Sequence, residues 1–158
     1  MSVRAALDFW NSHQVELRPR ASSAQLATLE RLLGCPLSSD VREFYAAANG
    51  MAADTCDQHM MRFWSIGEII DEFGQDDPGI ANGVPFCDGM AWAWVFRFQR
   101  HPGGVAVYSD FHELSWFSLT DFLSEVSCCA SSEAALEPTH RLRALIGGLV
   151  WRLTGRCS

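Results

Sequence analysis

The residues of this chain that could perform chemistry fall into three small groups. The first group is Cys56 and His59, a Cys-x-x-His pair that could supply two ligands to a metal ion. A closed structural zinc site needs four ligands at suitable spacing, and the other cysteines and histidines are scattered along the chain. We therefore interpret this pair as part of a polar loop and expect no metal site.

The second group consists of the adjacent Cys128 and Cys129, which precede His140. A cysteine hydrolase needs a thiol with a base held beside it, often next to a glycine-rich turn that supplies an oxyanion hole. No such turn accompanies these cysteines, and we interpret them as the small-residue end of a helix. The sequence predicts no catalytic residues and no cofactor.

Carboxylates form the third group, and they are concentrated in one part of the chain. Eight acids and one arginine, Arg62, lie between positions 54 and 88; the acids are Asp54, Asp57, Glu68, Asp71, Glu72, Asp76, Asp77 and Asp88. Asp76-Asp77 could hold a cation, but turns also favour aspartate because it hydrogen-bonds its own backbone. The density of acids leaves two interpretations, an electrostatic binding face or a solvated surface.

The bulk composition excludes several function classes. The chain of 158 residues has a net charge of −7, with twelve arginines and no lysine. Such a surface repels nucleic acid, whose binding needs clustered basic residues, and it attracts basic partners. The six cysteines show no regular spacing, so we interpret them as reduced thiols of a cytoplasmic protein. No secretion signal and no membrane-spanning stretch is predicted.

The elements that position these residues begin with three helices. An opening helix is predicted to end near Asn11–His13. Ser22 and Gln25 have the spacing of a capping box at the start of the second helix, and Gly34 suits its left-handed end. The third helix is predicted to begin at Ser38 or Ser39 and to stop at Gly50. The second and third helices follow each other like a DNA-reading pair, but their exposed positions are too acidic for phosphate contacts.

After residue 50 the pattern changes from helical to strand-like. Short strands are predicted at 60–66, 84–87, 90–98, 104–109 and 112–117, with a helical turn beginning at Ser65. Within 90–98 the alternation places Trp92, Trp94, Phe96 and Phe98 on one face. Further helices are predicted over 118–126 and from about Pro138, and Trp10 and Trp151 are expected to clamp the terminal helices to the domain.

This order of elements predicts an α+β fold. We expect a single domain over residues 1–158, in which helices at both ends pack on an antiparallel or mixed β-meander. Its core is predicted over about 24–126, with a helical extension at 1–20 and a C-terminal helix within 130–158.

Three blocks of sequence resemble the SUKH superfamily, the group that includes the yeast cell-wall assembly regulators. They are "LERLLGCPLSSDVREFYAAANG" (29–50), "FWSIGEIIDEF" (63–73) and the strand-rich segment 84–126. The matching positions are Leu29, Glu30, Leu33, Gly34, Leu37, Asp40, Phe44, Asn49, Gly50, Ile66, Glu68, Ile69, Phe117, Phe122 and Leu123. Ser38 departs from the pattern, since the family usually has proline there.

The resemblance implies a compact α+β fold used for binding and not for catalysis. Many bacterial members resemble immunity proteins, which bind a toxin domain, often a nuclease, and neutralise it; eukaryotic members resemble regulators and scaffolds. We therefore expect a cytoplasmic immunity protein of a polymorphic toxin system, with an intracellular scaffold or regulator as the alternative. Neither interpretation involves nucleic acid or a membrane as the direct partner.

The predicted partner-binding residues combine the acidic cluster with an aromatic anchor. Carboxylates would set association rate and specificity, and an exposed aromatic side chain would supply the desolvated anchor. The predicted carboxylates are Asp54, Asp57, Asp71, Glu72, Asp76 and Asp77, and the candidates for the anchor are Trp64 and Phe73.

Overall fold

The computed structural model describes residues 1–72, 82–89, 92–102, 104–109 and 115–128. Three predicted features lie outside them: the loop around Asp76-Asp77, the helix from about Pro138, and the clamping role of Trp151.

Three helices come first in the described chain, a sheet with one helix after its first strand follows, and a fifth helix comes last. The helices are α1 (Val3–Ser12), α2 (Ser23–Leu33), α3 (Ser39–Ala47), α4 (Ile66–Glu72) and α5 (Leu119–Cys128). The strands are β1 (Met61–Phe63), β2 (Val84–Gly89), β3 (Trp94–His101), β4 (Gly104–Ser109) and β5 (Ser115–Trp116). This arrangement confirms the predicted α+β class.

The boundaries of α2 follow from local chemistry and confirm the prediction. The hydroxyl of Ser22 accepts a hydrogen bond from the backbone N–H of Gln25, and the side-chain oxygen of Gln25 accepts one from the N–H of Ser22. Together these bonds satisfy two donors that a helix start otherwise leaves unpaired. Gly34 ends the helix at φ 66°, in the left-handed region that glycine enters without steric cost.

The end of α3 differs from the prediction. The helix stops at Ala47 and not at Gly50, because the chain turns there to contact the segment after β1. The side-chain oxygen of Asn49 accepts a hydrogen bond from the backbone N–H of Ile66 at 2.9 Å. Gly50, at φ 76°, lies so close to Trp64 that a Cβ would fall 2.5 Å from its carbonyl carbon. Asn49-Gly50 is therefore a tertiary junction.

The sheet is an antiparallel meander in the order β1-β2-β3-β4-β5. Its register aligns Phe98 with Val107 and Val107 with Trp116, which places apolar side chains on one face. The register shifts once in β2, between Pro85 and Cys87. Proline has no N–H to donate to the ladder, which suits an irregularity at this position.

The start of β3 corrects the prediction for Trp92. Trp94, Phe96 and Phe98 are buried on one face as predicted, but the strand begins only at Trp94. Trp92 lies in the turn before it, with φ 73° and with 48% of its surface exposed. The pairing of Gly89 with Trp94 closes the hairpin and leaves Trp92 in the connecting loop. Of the strand predicted over 112–117, residues 115–117 are described, and β5 covers the first two of them.

Aromatic side chains fill the core between the sheet and the helices. Phe122 of α5 lies 4.8 Å from Phe96, and Phe86 stacks on Phe98 at 3.8 Å between ring centroids. Each fully buried side chain of this size contributes roughly 2–3 kcal/mol of burial. Trp10 is also buried and contacts Phe63 at 4.8 Å, so it fixes α1 to the core as predicted.

Candidate partner-binding face

A partly buried ion-pair network lies within the acid-rich part of the chain and is centred on Glu68. One carboxylate oxygen accepts from Arg62 at 3.0 Å and from Arg18 at 3.4 Å. The other accepts from the backbone N–H and the hydroxyl of Ser65, at 2.8 and 2.9 Å. Partial burial by itself would raise the pKa of Glu68, but the Ser65 hydrogen bonds and the two arginine charges together hold it below its ordinary value.

Arg62, the only arginine between positions 54 and 88, is engaged within this network. Its Nε donates to the buried Asp88 at 3.4 Å, and its Nη1 donates to the carbonyl of Ala53 at 3.1 Å. The guanidinium also lies 5.8 Å from the centroid of the Trp64 ring. Arg62 therefore joins β1, β2, α4 and the loop that precedes β1. Two of the eight acids, Glu68 and Asp88, serve this internal network.

The structure corrects the predicted placement of Asp57, which has only 5% of its surface exposed. Its carboxylate accepts from the backbone N–H groups of His59 and Met61, both at 2.9 Å, and from the indole N–H of Trp10 at 3.3 Å. Burial raises the pKa of Asp57, and these hydrogen bonds oppose the rise. The prediction that Asp57 belongs to an exposed face is wrong, because the side chain ties α1 to the turn before β1.

The structure also corrects the predicted exposure of Trp64, whose exposed fraction is 1%. Its indole N–H donates to Asp88, and its backbone carbonyl accepts from the hydroxyl of Tyr45 at 3.3 Å. Its ring lies 4.5 Å from the ring of Trp92. Trp64 cannot serve as the exposed anchor, because its surface is already used inside the fold.

Three of the predicted partner-binding carboxylates are exposed in the described residues. Asp54 lies in the loop before β1, and Asp71 and Glu72 lie at the C-terminal end of α4. We call Asp54, Asp71 and Glu72 the acidic face. The remaining predicted residues, Phe73, Asp76 and Asp77, lie outside the described part of the chain.

The position of two of these carboxylates is unfavourable for the helix that carries them. The C-terminal end of a helix bears a partial negative charge, so acids there are destabilising by roughly 0.3–1 kcal/mol each. Asp71 and Glu72 occupy that end of α4, and its last turn contains no basic residue. Stability of α4 does not account for these two acids.

Sequence reasoning missed the exposure of Met60 and Trp92. Met60 has 51% of its surface exposed and φ 57°. Asp88-Gly89 is a dipeptide typical of hairpin turns, but both residues belong to β2, so it does not mark the loop that contains Trp92. No local signal marks Met60 either, because its exposure depends on the turn that Asp57 holds.

The described residues offer little for metal or thiol chemistry. Within them, no group of three or more His, Cys, Asp or Glu side chains is arranged to hold a metal ion. Cys87 is buried, and burial raises the pKa of its thiol well above the ordinary value, which disfavours the reactive thiolate. Cys129 and the side chain of Cys128 lie outside the described residues. In the same part of the chain, no helix has the length and apolarity needed to cross a membrane.

The fold and the acidic face define a class: a small α+β domain with helices on an antiparallel meander and carboxylates presented on its surface. The chain belongs to the SMI1/KNR4 family (SUKH-1), whose sequence model matches residues 20–125, more than half of the chain. This match confirms the resemblance seen in the three sequence blocks. No curated protein matches the chain.

Proposed function

We propose that this chain is a non-enzymatic immunity protein that neutralises a basic toxin domain by stoichiometric binding in the cytoplasm. Membership of the SUKH-1 family supports a role of this kind. The observation that carries the proposal is the acidic face, in which Asp54, Asp71 and Glu72 are exposed while the nearby Arg62 is engaged inside the fold. Asp76 and Asp77, which lie outside the described residues, stay part of the predicted partner-binding set.

The mechanism is electrostatic capture. A nuclease toxin needs a basic groove to hold its phosphate substrate, and an acidic surface competes for that groove. The partial negative charge at the end of α4 adds to the potential of Asp71 and Glu72. Steering by complementary charge raises the association rate, and docking then excludes nucleic acid from the groove.

The experiment is affinity capture from native lysate with the full chain, washed first at low and then at high salt. We expect a basic toxin domain that is retained at low salt and weakened by high salt. The purified chain should then abolish its nuclease activity at an equimolar ratio. Capture of housekeeping or signalling proteins with no toxin among them would overturn the immunity role and favour the scaffold or regulator.

A further inference from the structure

Two exposed apolar side chains stand out because their backbones are also strained. The large hydrophobic residues that are exposed in the described chain are Met60, Trp92 and Phe117. Met60 and Trp92 also have positive φ, at 57° and 73°. Residues other than glycine, asparagine and aspartate rarely adopt this conformation, because Cβ approaches the carbonyl oxygen. Burial does not account for a methionine and a tryptophan at such positions, since each is about half exposed.

Each strained residue is held in place by a buried aspartate. The Asp57 carboxylate accepts from the N–H groups of His59 and Met61, on either side of Met60, and its backbone carbonyl accepts from Met60 at 2.9 Å. The Asp88 carboxylate accepts from the N–H of Trp92 at 3.2 Å. Strain that neighbouring structure holds in this way is characteristic of binding sites.

The two residues lie at the same end of the sheet, where β1 begins and β2 ends. Met61 pairs with Gly89, so Met60 and the β2–β3 loop that contains Trp92 lie at this end. The Trp92 ring packs on Trp64 at 4.5 Å, which limits its rotation. Side chains held in this way lose little entropy when a partner binds.

Charge indicates what would cover this surface. Asp54 is exposed in the loop before β1 and follows Ala53. Arg62 donates to the carbonyl of Ala53 and also to the carboxylate of Asp88. Asp88 is the residue that holds Trp92, so Arg62 links the loop of Asp54 to Trp92. A tryptophan face and a carboxylate together suit a guanidinium, which stacks on the ring and pairs with the acid. Methionine adds an adaptable apolar contact.

We propose that Met60, Trp92 and Asp54 form a docking surface for an arginine of a protein partner, flanked there by apolar side chains. This surface rests on the proposed function, because it takes the partner to be a basic protein. It supplies the apolar anchor beside the acidic face, a role predicted from the sequence for Trp64 or Phe73.

The test uses NMR titration of the full chain with a capped hexapeptide of alternating leucine and arginine. We expect shifts at the Trp92 indole and the Met60 methyl. Met60→Gly and Trp92→Gly should each weaken binding roughly tenfold or more, as loss of a binding hot spot does. Glycine is chosen because it accepts positive φ, so Met60→Gly should melt at or above the wild-type temperature. A peptide of alternating leucine and glutamate should not bind.

Two matched controls separate strain from apolar exposure. Gln14 has φ 59° but a polar side chain, and Phe117 is 83% exposed but is not among the described residues of positive φ. Gln14→Gly and Phe117→Ala should leave peptide affinity unchanged. Any of three results would overturn the docking surface. The first is wild-type affinity in both Met60→Gly and Trp92→Gly. The others are an absence of peptide binding to the wild type and chemical-shift changes confined to other residues.

The outcomes also separate this inference from the proposed function. If capture yields no toxin but the peptide docks at Met60 and Trp92, the immunity role fails and the docking surface stands. If a captured toxin is neutralised equally well by the wild type, Met60→Gly and Trp92→Gly, the docking surface fails and the immunity role stands.

Discussion

At the scale of single residues, some acids between positions 54 and 88 are buried and others are exposed. Asp57 and Asp88 are buried and hold backbone or indole N–H groups, whereas Asp54 is exposed. A count of acids along the sequence cannot separate these roles. The bond between Trp10 and Asp57 joins residues 47 positions apart, and such partners are not visible in local sequence.

Asp57→Asn tests the role of the buried carboxyl. Burial raises the folded-state pKa of Asp57 above its unfolded value, so ionisation of this group opposes folding. The contribution of Asp57 to the free energy of unfolding is therefore fully present below the ordinary pKa of about 4. It is lost as the pH rises through the raised pKa of the folded state. We expect the asparagine variant to lose about 1–3 kcal/mol, because its side-chain NH₂ cannot accept from the Trp10 indole.

Urea denaturation between acidic and neutral pH, followed by tryptophan fluorescence, measures this effect. The stability advantage of the wild type over Asp57→Asn should shrink as the pH rises. A constant difference across the range would show that the pKa of Asp57 is the same in the folded and unfolded states.

Gly50→Ala tests the junction between α3 and the segment after β1. The new Cβ would lie 2.5 Å from the Trp64 carbonyl carbon at φ 76°. We expect a loss of stability on the order of 3 kcal/mol from overpacking and left-handed strain combined. Gly34→Ala is the matched control, since Gly34 has φ 66° but nothing within 4 Å of a Cβ. It should cost about 1–2 kcal/mol. Equal losses in thermal melting would refute a steric role for Gly50.

At the scale of elements, the sequence predicts best those features that depend on contacts within a single helical turn. Three features were predictable because each depends on residues close together in the sequence. They are the Ser22–Gln25 capping box, the left-handed Gly34 and the apolar stripe of α5. The end of α3 and the start of β3 were not, because Gly50 contacts Trp64 and Gly89 pairs with Trp94. Those boundaries are set by packing between elements.

Helix α4 provides a prediction that separates binding from stability. Replacing Asp71 with Asn and Glu72 with Gln removes two charges that oppose the helix dipole. We expect the double variant to gain roughly 0.6–2 kcal/mol of stability, the sum of the two single effects. We also expect it to associate with the captured toxin more slowly and with a weaker salt dependence.

Stopped-flow association and thermal melting measure the two effects on the same samples. Asp8→Asn on α1 is the control, because Asp8 is also exposed on a helix but lies outside the acidic face. It should leave the association rate nearly unchanged. An unchanged rate in the α4 variant would exclude α4 from the binding surface.

At the scale of the whole molecule, some carboxylates are paired with arginines, but the chain keeps a net charge of −7. The ion pairs of Arg18 and Arg62 are partly buried and are screened only weakly by salt, whereas exposed carboxylates repel one another through solvent. We expect the melting temperature to rise as salt increases toward 0.1 M, where the Debye length is about 10 Å.

The matched comparison is a variant that neutralises the acidic face, with Asp54→Asn, Asp71→Asn and Glu72→Gln. Its melting temperature should depend less on salt than that of the wild type. The same dependence in both proteins would show that repulsion arises elsewhere on the surface.

The contact between Trp64 and Trp92 has an optical consequence. Their rings lie 4.5 Å apart and are inclined by 45°, a geometry in which two indole transitions couple and give a paired positive and negative band in circular dichroism. One ring is buried and the other is half exposed. A ligand that moves Trp92 would change this band while the helices and strands stay intact, so the protein carries an intrinsic reporter of occupancy and needs no added label.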